Sequence, residues 1–420
     1  MENEAKQILY IRTDSDAKDL MAGGSVSHTI GVITGFHNLG YRVVCASSAM
    51  LKALEQLPIY HFVELIMPAW LSFLGCKGNA LFSTIFFAWQ AAVLCNKHDV
   101  DFIYQRYSIL NCTGALLGWW YGKKLILEFN SSKVWTDAYW SPNKKIKMRW
   151  LVRLIERINI TYAYRIIAVS QPIRNMLVKG GVNQKKIIVN PNGVDTQLFD
   201  PEKLAKKRET VRKALAIESK FVFGFIGTFS YWHGVDELAQ MIPRIAALSD
   251  DVHFLLIGGG PLHQKIKNQI VNDNFANSVT TFTGMVPPKE AREYLSACDA
   301  FLSATQPNPD GSPFFGSPTK LFEYMSLGKP IIASDLEQIA QVINPALRLE
   351  DIAKKQINPR ESVVGILVKP NDVPGFVKAA CWLVKQDTQV QKKLGDVARS
   401  KACACYTWIQ HVQNIIDCSV

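Results

Sequence analysis

The stretch FVFGFIGTFSYWHGVDEL, residues 221–238, decides the fold. Its first six residues are mostly aromatic or aliphatic, as in a strand, and Gly227 opens a short loop that leads into a helix beginning near Gly234. A strand, a loop and a helix in this order form the repeating unit of a parallel sheet with helices on both faces. The loop carries Thr228 and His233, which we expect at the carboxyl ends of the strands, where such sheets bind ligands.

The same rhythm recurs along the chain. Before this stretch, strands are predicted at 8–12, 42–46, 102–105, 125–129 and 166–170. From it onward, strands are predicted at 221–226, 252–257, 279–282, 300–304, 330–334 and 363–368. The segment NPNGVDTQLFDPEK (190–203), rich in Pro, Asn and Gly, separates the two series. The sequence therefore predicts an α/β protein with two Rossmann-like, doubly wound parallel-sheet domains, 1–198 and 206–400, facing across a binding cleft.

Composition agrees with two folded domains. The chain has 420 residues, of which 48% are hydrophobic. The N-terminus lacks a secretory pattern, and the apolar run 80–95 is too short to span a membrane, so we expect a cytoplasmic protein. Nine cysteines are scattered without a paired framework, and Cys403 and Cys405 lack further metal partners. Reduced thiols and no metal site are the expectation.

The net charge of +11 indicates an anionic partner: nucleic acid, a membrane surface or a phosphorylated substrate. Aromatic and basic residues interleave in 135–159, near Leu151, Leu154 and Ile155. The basic residues of this segment are Lys144, Lys145, Lys147, Arg149, Arg153 and Arg157. Such a composition is typical of an amphipathic segment at a membrane interface. A basic solvated helix whose apolar stripe faces the core is an equally good interpretation.

A short helix is predicted within GSPTKLFEYMSLGKPIIASD (316–335). Ser317 suits the N-cap and Pro318 the first helical position, while Gly328 ends the helix. At 3.6 residues per turn, one side of the helix is apolar and the other carries its polar residues. The apolar side holds Leu321, Phe322, Tyr324 and Met325, and the polar side holds Thr319, Glu323 and Ser326.

The start of this helix has the features of a diphosphate site. Thr319 and Lys320 offer free backbone N–H groups and one positive side chain at the positive end of the helix dipole. Glu323 lies about 6 Å further along the axis, where it can accept hydrogen bonds from the vicinal hydroxyls of a ribose. A surface glutamate favoured near a helix N-terminus is the plain alternative.

Two further glycine-rich loops follow predicted strands. Gly23 and Gly24 precede a helix that ends near Gly40, and they permit close approach of a ligand to a helix N-terminus. His28 lies one turn inside that helix, where a packed or solvated histidine is as consistent as a binding one. The stretch IGGGPL (257–262) allows a turn beside a bound base or phosphate, although a plain strand-to-helix turn uses the same residues.

Six stretches in this order resemble the GT-B glycosyltransferases, specifically the large retaining group called family 4. They are GGSVSH (23–28), NPNGVDTQLFDP (190–201), FIGTFSYWHGVDEL (225–238), LLIGGGPL (255–262), VTTFTGMVPPKEAREYLSACDAFLSA (279–304) and SPTKLFEYMSLGKPIIAS (317–334). The resemblance implies retaining transfer of a hexose from a nucleotide-diphosphate sugar, used as a co-substrate, with no cofactor and no bound metal. It also implies that the C-terminal stretch 401–420, which contains YTWIQHVQNI (406–415), packs as a helix on the first domain.

The same resemblance assigns donor-binding roles. Glu323 would hold the ribose, the backbone of Met285 and Val286 would touch the base, and Gly24 with its neighbour Gly23 would approach the diphosphate. The stretch 308–317 would present backbone amides to the donor sugar, and it ends in Phe315, Gly316 and Ser317.

The chain departs from the family pattern at three positions. The family often has a glutamate where this chain has Phe315, and an arginine and a lysine where it has Thr228 and His233. We expect Lys320 to supply the main positive charge at the phosphates, with His233 as its helper. The candidate acceptor residues of the first domain are His28, Arg106, Glu128 and Asn130.

Two other interpretations stay open at this point. A nucleotide-sugar epimerase would share both sheets and the diphosphate site, and a catalytically silent nucleotide-sugar-binding subunit would fit the departures from the family pattern. A nicotinamide dehydrogenase fits least, because the chain lacks the glycine fingerprint of a dinucleotide fold.

The basic aromatic segment suggests an anionic membrane surface as a partner and a peripheral location on the inner membrane face. The acceptor would then be a lipid-linked or cell-surface glycan precursor, and the process would be polysaccharide biosynthesis. We expect no nucleic-acid partner.

Overall fold

The computed structural model describes residues 5–13, 23–48, 57–66, 75–140, 148–249, 251–353 and 362–419. The chain forms two compact units. The first comprises Met1–Met21, Val26–Asn192 and Trp408–Val420, and the second comprises Ala22–Ser25 and Gly193–Thr407. The second unit thus includes a short piece of chain that precedes most of the first.

The first unit contains a seven-stranded parallel sheet in the order β3-β2-β1-β4-β5-β6-β7. Its strands are β1 (Gln7–Arg12), β2 (Arg42–Ser47), β3 (His61–Glu64), β4 (Phe102–Arg106), β5 (Lys124–Phe129), β6 (Arg165–Ala168) and β7 (Ile187–Val189). Its connecting helices are α1 (Gly24–Asn38), α2 (Gly75–His98), α3 (Thr113–Tyr121), α4 (Lys133–Tyr139), α5 (Arg149–Tyr162) and α6 (Gln171–Lys179). The inner strands are buried on both faces, as expected of a sheet covered by helices.

The second unit repeats this architecture with the strand order β10-β9-β8-β11-β12-β14-β13. Its strands are β8 (Phe221–Ile226), β9 (Val252–Ile257), β10 (Thr280–Gly284), β11 (Ala300–Ser303), β12 (Ile331–Ser334), β13 (Ala346–Leu347) and β14 (Gly365–Val368). Its helices are α7 (Ala205–Ala214), α8 (Val235–Ala246), α9 (His263–Val271), α10 (Asn274–Ser278), α11 (Pro288–Ser296), α12 (Thr319–Ser326), α13 (Glu337–Ile343), α14 (Leu349–Ala353), α15 (Val373–Val384) and α16 (Thr388–Cys405). The last helix of the chain, α17 (Trp408–Ser419), belongs to the first unit.

The predicted fold class is confirmed, because the chain contains two doubly wound parallel sheets and every predicted strand is present. The short strands β3, β7 and β13, which lie at the edges of the two sheets, were not predicted from the sequence. A strand with one neighbour buries less side-chain surface, so its sequence carries a weaker apolar signal.

The C-terminal stretch 401–420 was predicted as one helix. In the structure α16 ends at Cys405 within the second unit and α17 begins at Trp408 within the first. α17 packs on α1, where a Cβ on Gly31 would stand 2.1 Å from the indole of Trp408. His411 Nδ1 lies 2.8 Å from the carbonyl oxygen of Pro191, which ties α17 to the end of the first unit. The close approach of two helices thus requires a glycine at residue 31.

Helix α5 has features of both interpretations of the basic aromatic segment, residues 135–159. Leu151, Val152 and Ile155 are buried, so an apolar stripe faces the core as one interpretation proposed. Trp150 and Leu154 are exposed beside arginines, which is the feature expected of an interfacial helix. Lys144, Lys145 and Lys147 lie outside the described residues.

Within the parts of the chain that the structure describes, the helices are too short or too polar to cross a membrane. This includes α2, which contains most of the apolar run 80–95.

Candidate active site

The predicted diphosphate helix is α12, and it begins one residue later than predicted. Pro318 is its N-cap, with φ −71° and ψ 115°, and Thr319 is its first residue. Ser317 therefore lies one residue before the N-cap position, and Pro318 has no side-chain oxygen that could cap the helix. The first N–H groups of a helix lack intrahelical acceptors. α12 thus presents its first N–H groups, at Thr319 and Lys320, at the positive end of its dipole.

The sides of α12 are mostly as predicted. Leu321, Phe322, Tyr324 and Met325 are all fully buried. Ser326 was predicted on the polar side with Glu323, but it is fully buried and its Oγ donates to the carbonyl oxygen of Phe199 at 2.9 Å. The cause is α16, which packs against α12 and buries the end of the helix.

Lys320 is the most unusual side chain of this helix. A lysine with an ordinary pKa is charged at neutral pH, yet this side chain is only 5% exposed. Its Nζ lies 4.5 Å above the centre of the Phe225 ring and 3.4 Å from His233 Nδ1. Burial lowers the pKa of Lys320 to about 7, against the opposing effect of Glu323. A buried ammonium with a π face and a neutral nitrogen as partners is under-solvated, so an anion would be its natural ligand.

His233 ends a short 3-10 turn, Tyr231–His233, in the loop after β8. Burial, and then the charge of Lys320, hold its pKa well below the ordinary value, so the imidazole is neutral. When Lys320 is protonated, Nδ1 accepts and the ring proton is on Nε2. The next residue, Gly234, has φ 67°, and a Cβ there would stand 1.8 Å from the carbonyl oxygen of Ala304. Glycine at 234 therefore allows the loop to lie against the end of β11 and fixes His233 beside Lys320.

Glu323 lies one turn after Lys320 and is half-buried. Burial raises its pKa to about 7, while Arg292 and Lys320 act in the opposite direction. The alternative of an ordinary solvated glutamate does not fit this environment, because the pKa of a solvated carboxyl group stays near its ordinary value. Glu323 is poised to change charge near neutral pH.

The loop that precedes α12 is held by hydrogen bonds within it and to α13. Asn308 Nδ2 donates to the carbonyl oxygen of Pro313 at 2.8 Å, and the backbone N–H of Phe314 donates to Glu337 Oε2 at 2.9 Å. Phe315, at the position where the resembled family often has a glutamate, is a buried aromatic side chain. A carboxylate from α13, Glu337, is thus hydrogen-bonded to the neighbouring residue. Gly316 and Ser317 follow and connect this loop to α12.

The remaining predicted donor residues follow β8 and β10, the two strands that flank β9 in the second sheet. Thr228 is exposed after β8, while Met285 is exposed and Val286 half-buried after β10. Met285 contacts the loop after β9, since a Cβ on Gly259 would stand 3.0 Å from its Cγ. These residues therefore share the carboxyl edge of the second sheet.

Gly23 and Gly24 precede and begin α1, and they group with the second unit. A Cβ on Gly24 would stand 3.2 Å from Thr319 Oγ1. The glycine loop is thus next to the first residue of α12, as the predicted diphosphate site requires.

In the first unit the four predicted acceptor residues meet around one carboxylate. Glu128 is fully buried and accepts hydrogen bonds from Arg106 Nη1 at 2.6 Å and from Asn130 Nδ2 at 2.5 Å. His28 Nε2 lies 3.3 Å from the same carboxylate oxygen. Burial raises the pKa of Glu128, and the charge of Arg106 is the main opposing influence. Because Glu128 and His28 are buried, Arg106 and Asn130 are the members that retain access to solvent.

Several neighbours of these two sites were not predicted from the sequence. In the first unit, Tyr104 donates its hydroxyl proton to Glu128 at 3.2 Å, and the buried Arg12 donates to Thr29 at 2.7 Å. In the second unit, Phe225 and Glu337 contact the site from β8 and α13. An arginine that ends an apolar strand, as Arg12 does, was the available signal for the first group. No local pattern marks Phe225, whose role depends on where α12 packs.

Two family models match the chain. The model described as glycosyltransferase family 4 matches residues 22–198, and the model described as glycosyl transferases group 1 matches residues 220–386. The two matches correspond to the two sheet units and together span most of the chain.

Individual proteins show the same likeness. An uncharacterized glycosyltransferase of Methanocaldococcus jannaschii is 21% identical over 334 residues, which are 78% of this chain and 76% of that protein. The alpha-monoglucosyldiacylglycerol synthase of Streptococcus pneumoniae is 26% identical over 170 residues, 40% of this chain and 36% of the synthase. Among solved structures, Anabaena HepE in complex with UDP superposes with a TM-score of 0.69 at 18% identity, covering 98% of both chains.

The architecture of two seven-stranded parallel sheets, the α12 site and both family matches agree. The chain therefore belongs to the GT-B glycosyltransferases of the family 4 type.

Proposed function

We propose that this protein transfers a hexose, with retention of anomeric configuration, from a nucleotide-diphosphate sugar to a lipid-linked or cell-surface glycan precursor. The observation that carries the proposal is the buried Lys320 in the first turn of α12, in contact with His233. An ammonium and a row of helix N–H donors are complementary to a diphosphate.

The donor would occupy the carboxyl edge of the second sheet. The diphosphate would accept hydrogen bonds from the first N–H groups of α12 and from Lys320, with Gly24 leaving room beside Thr319. Glu323 would accept from the ribose hydroxyls one turn further along. The backbone near Met285 would contact the base, and the loop that ends in Phe315, Gly316 and Ser317 would contact the sugar. The complex of HepE with UDP makes uridine donors the first to test.

In the reaction the bond between the sugar anomeric carbon and the phosphate oxygen breaks, and the nucleoside diphosphate leaves with the electron pair. The acceptor oxygen bonds to the same carbon on the face that the phosphate leaves, and its proton passes to the departing phosphate oxygen, so we assign no side-chain base. Lys320 and the helix N–H donors stabilise the charge that develops on the departing phosphate. His233 lies 3.4 Å from the ammonium of Lys320 and keeps it oriented, so it affects the reaction through Lys320. These groups supply positive charge from the chain itself, so we propose transfer without a metal.

The acceptor would bind in the first unit near Arg106 and Asn130, the accessible members of the Glu128 cluster. The lipid-linked class is proposed because one relative is a synthase of a glucosylated diacylglycerol and because the surface of the first unit suits a membrane. Location on the inner membrane face and a role in polysaccharide biosynthesis are part of the same proposal.

The decisive experiment offers the purified protein a panel of nucleotide sugars with lipid and soluble acceptors, and follows the product by NMR. Retention is indicated if the anomeric proton of the product has the same orientation, axial or equatorial, as that of the donor. The opposite orientation would contradict the proposal. Undiminished turnover in a chelator would support metal independence. Loss of turnover that a divalent metal restores would overturn that part.

A silent nucleotide-sugar-binding subunit is the second candidate, and Phe315 in place of an acid favours it. Donor binding by calorimetry without donor hydrolysis or transfer to any acceptor would establish this candidate. An epimerase would instead convert the donor sugar in the absence of acceptor.

A further inference from the structure

One side of helix α2 exposes a continuous apolar stripe. Phe82, Ile85, Trp89 and Val93 recur at intervals of three or four residues, and all four are exposed. At 100° per residue these positions fall on one face of the helix. Trp89 is 68% exposed, far more than a tryptophan in a protein core. The opposite side packs on the sheet, where Phe87, Ala91 and Leu94 are buried.

Two neighbouring helices add to this stripe. α2 contacts α3 and α3 contacts α5, so the three helices lie side by side. β4, β5 and β6 are adjacent in the sheet, and right-handed connections place α3 and α5 on the same face of it. α3 exposes Trp119 and Trp120, and α5 exposes Trp150 and Leu154. Scattered exposed apolar residues are ordinary, but a group of this size on three packed helices is not.

The exposed charged side chains that the structure describes on α2, α3 and α5 are all basic. Arg149, Arg153 and Arg157 are exposed on α5 and flank Trp150 and Leu154. The sequences of α2, α3 and α5 contain one acidic residue, Glu156. Its carboxylate accepts a hydrogen bond from the Tyr107 hydroxyl at 2.9 Å, on the inner side of α5. The outer surface of the three helices therefore combines indole rings, aliphatic side chains and arginines.

We propose that this aromatic–basic face is the surface by which the protein docks on a bilayer that contains anionic lipids. The face consists of Phe82, Ile85, Trp89, Val93, Trp119, Trp120, Trp150 and Leu154 with Arg149, Arg153 and Arg157. Indole rings partition into the boundary between headgroups and acyl chains, and arginines pair with lipid phosphates. A second copy of the chain would bring the same three arginines against themselves, which the charge pattern disfavours.

Docking on a membrane would bring the enzyme to a lipid-linked acceptor, so this surface deepens the proposed function. The purpose of docking rests on that function, whereas the docking itself does not. Docking itself is measured without donor or acceptor, so a failure of docking is distinguishable from a failure of transfer. The proposal also extends the basic aromatic segment predicted from sequence, because α2 and α3 lie outside that segment.

The experiment is flotation of the full chain with vesicles of phosphatidylcholine alone or mixed with phosphatidylglycerol. We expect binding to the mixed vesicles and much less to phosphatidylcholine alone. Each basic residue close to an anionic surface strengthens binding about fivefold, so R149Q/R153Q/R157Q should weaken it on the order of a hundredfold. Added salt should weaken binding of the wild type in the same direction.

A second variant, W89A/W150A, removes two exposed indoles and should also reduce flotation, even at low salt. The matched control is L248A/F275A, which removes two exposed apolar side chains from the second unit. Circular dichroism and size-exclusion chromatography accompany all variants, whose altered side chains are exposed and not part of a core. Turnover with a soluble acceptor should stay unchanged in each.

Equal binding to both vesicle types, or equal flotation of the indole variant and the control, would overturn the proposal. So would a dimer in solution that W89A/W150A dissociates, because the face would then be an interface between copies. A blue shift of tryptophan fluorescence on mixed vesicles, absent in W89A/W150A, would support insertion of the indoles.

Discussion

Lys320 Nζ lies 3.4 Å from His233 Nδ1, and the two residues come from different segments, α12 and the loop after β8. The neutral imidazole orients the ammonium without neutralising it. The ring of Phe225 covers another side of the ammonium at 4.5 Å. The ammonium is therefore buried between an aromatic ring and a neutral imidazole, with Glu323 one turn away as the opposing charge, which is an arrangement expected of a site prepared for phosphate.

The first prediction concerns Lys320→Met, which keeps most of the side-chain volume and removes the charge. We expect kcat/KM to fall by more than about a hundredfold, the typical loss when one donor to a developing charge is removed. Thermal stability near pH 6 should rise, because the cost of burying the ammonium disappears. Steady-state kinetics and calorimetry with the nucleoside diphosphate measure the first effect, and the thermal midpoint measures the second.

The matched control is Lys392→Met on α16, where an exposed lysine pairs with Asp396. It should leave both kinetics and stability near those of the wild type, since exposed pairs contribute little. If Lys320→Met behaves like this control in donor binding, Lys320 is not the counter-charge of the diphosphate.

The second prediction is a narrow pH optimum for donor binding near pH 7. The pKa of Lys320 is lowered to about 7, so above that pH the free protein loses the charge that attracts the diphosphate. The pKa of Glu323 is raised to about 7, so below that pH the carboxylate that would accept ribose hydroxyls becomes protonated. Calorimetry across pH 5–9 should give weaker binding on both sides. A flat profile would contradict both assignments.

Variants separate the two limbs of this profile. Lys320→Met should remove the alkaline limb, and Glu323→Gln the acidic one, with a weaker maximum in each case. Glu290→Gln, an exposed glutamate on α11, serves as the control for the second variant. Glu323→Gln should weaken donor binding about tenfold or more, the usual cost of losing a hydrogen bond to a charged group.

The same pKa shifts predict how stability depends on pH. The pKa of Lys320 lies below its unfolded value, so the unfolded chain binds more protons between about pH 7 and 10.5. The cost of the buried ammonium is fully present below pH 7 and is relieved as the pH rises through this window. The stability gain of Lys320→Met should therefore shrink towards pH 10. A gain that is independent of pH would indicate altered packing in place of removed charge.

The sequence predicted the inner strands well, because β8 and β9 are continuous apolar runs that both faces of a sheet bury. It predicted Lys320 and Glu323 as members of one site, because helix periodicity and dipole direction are local properties, whereas the glycine loop was added to that site by the family resemblance. It placed the start of α12 one residue too early, since Ser317 and Pro318 suit the N-cap and first position in isolation.

What the sequence could not give is the burial of the site. Lys320 was predicted as a positive side chain at a helix end, but its altered pKa depends on Phe225 and on a loop bent at Gly234. Those contacts join residues almost a hundred positions apart. The convergence of Arg106, Asn130 and His28 on Glu128 likewise depends on packing between strands and helices.

The third prediction tests the loop that positions His233. Gly234→Ala places a Cβ at φ 67° and 1.8 Å from the carbonyl oxygen of Ala304. Gly40→Ala is the matched control, because Gly40 has φ 83° but open space around a Cβ. The control should lose about 1 kcal/mol from the left-handed conformation alone.

Gly234→Ala should lose at least twice as much stability as the control, because backbone must move, and its donor binding should fall as well. Urea unfolding and calorimetry on both variants provide the comparison. Equal losses of stability, with donor binding intact in both, would show that the loop does not position His233.

The fourth prediction concerns the carboxylate at the centre of the first unit. Glu128→Gln keeps the volume but removes the charge that Arg106 pairs with at 2.6 Å. Removing one member of a buried pair costs about 3–5 kcal/mol, and the accessible side of Arg106 favours the lower end. Transfer to acceptor should fall, whereas binding of the nucleoside diphosphate should persist because Lys320 lies in the other unit. Thermal unfolding, transfer assays and calorimetry check the three expectations.

A double-variant cycle makes this prediction specific. Glu128→Gln combined with Arg106→Met removes both charges, so the pair should cost less stability than the sum of the single variants. If the double variant recovers the thermal midpoint of the wild type but still does not transfer the sugar, Arg106 contacts the acceptor. Glu128 then acts through Arg106 as a positioning residue. Strictly additive losses would mean that the two side chains are energetically independent. Unchanged transfer in Arg106→Met, with wild-type acceptor KM, would remove the Glu128 cluster from the acceptor site.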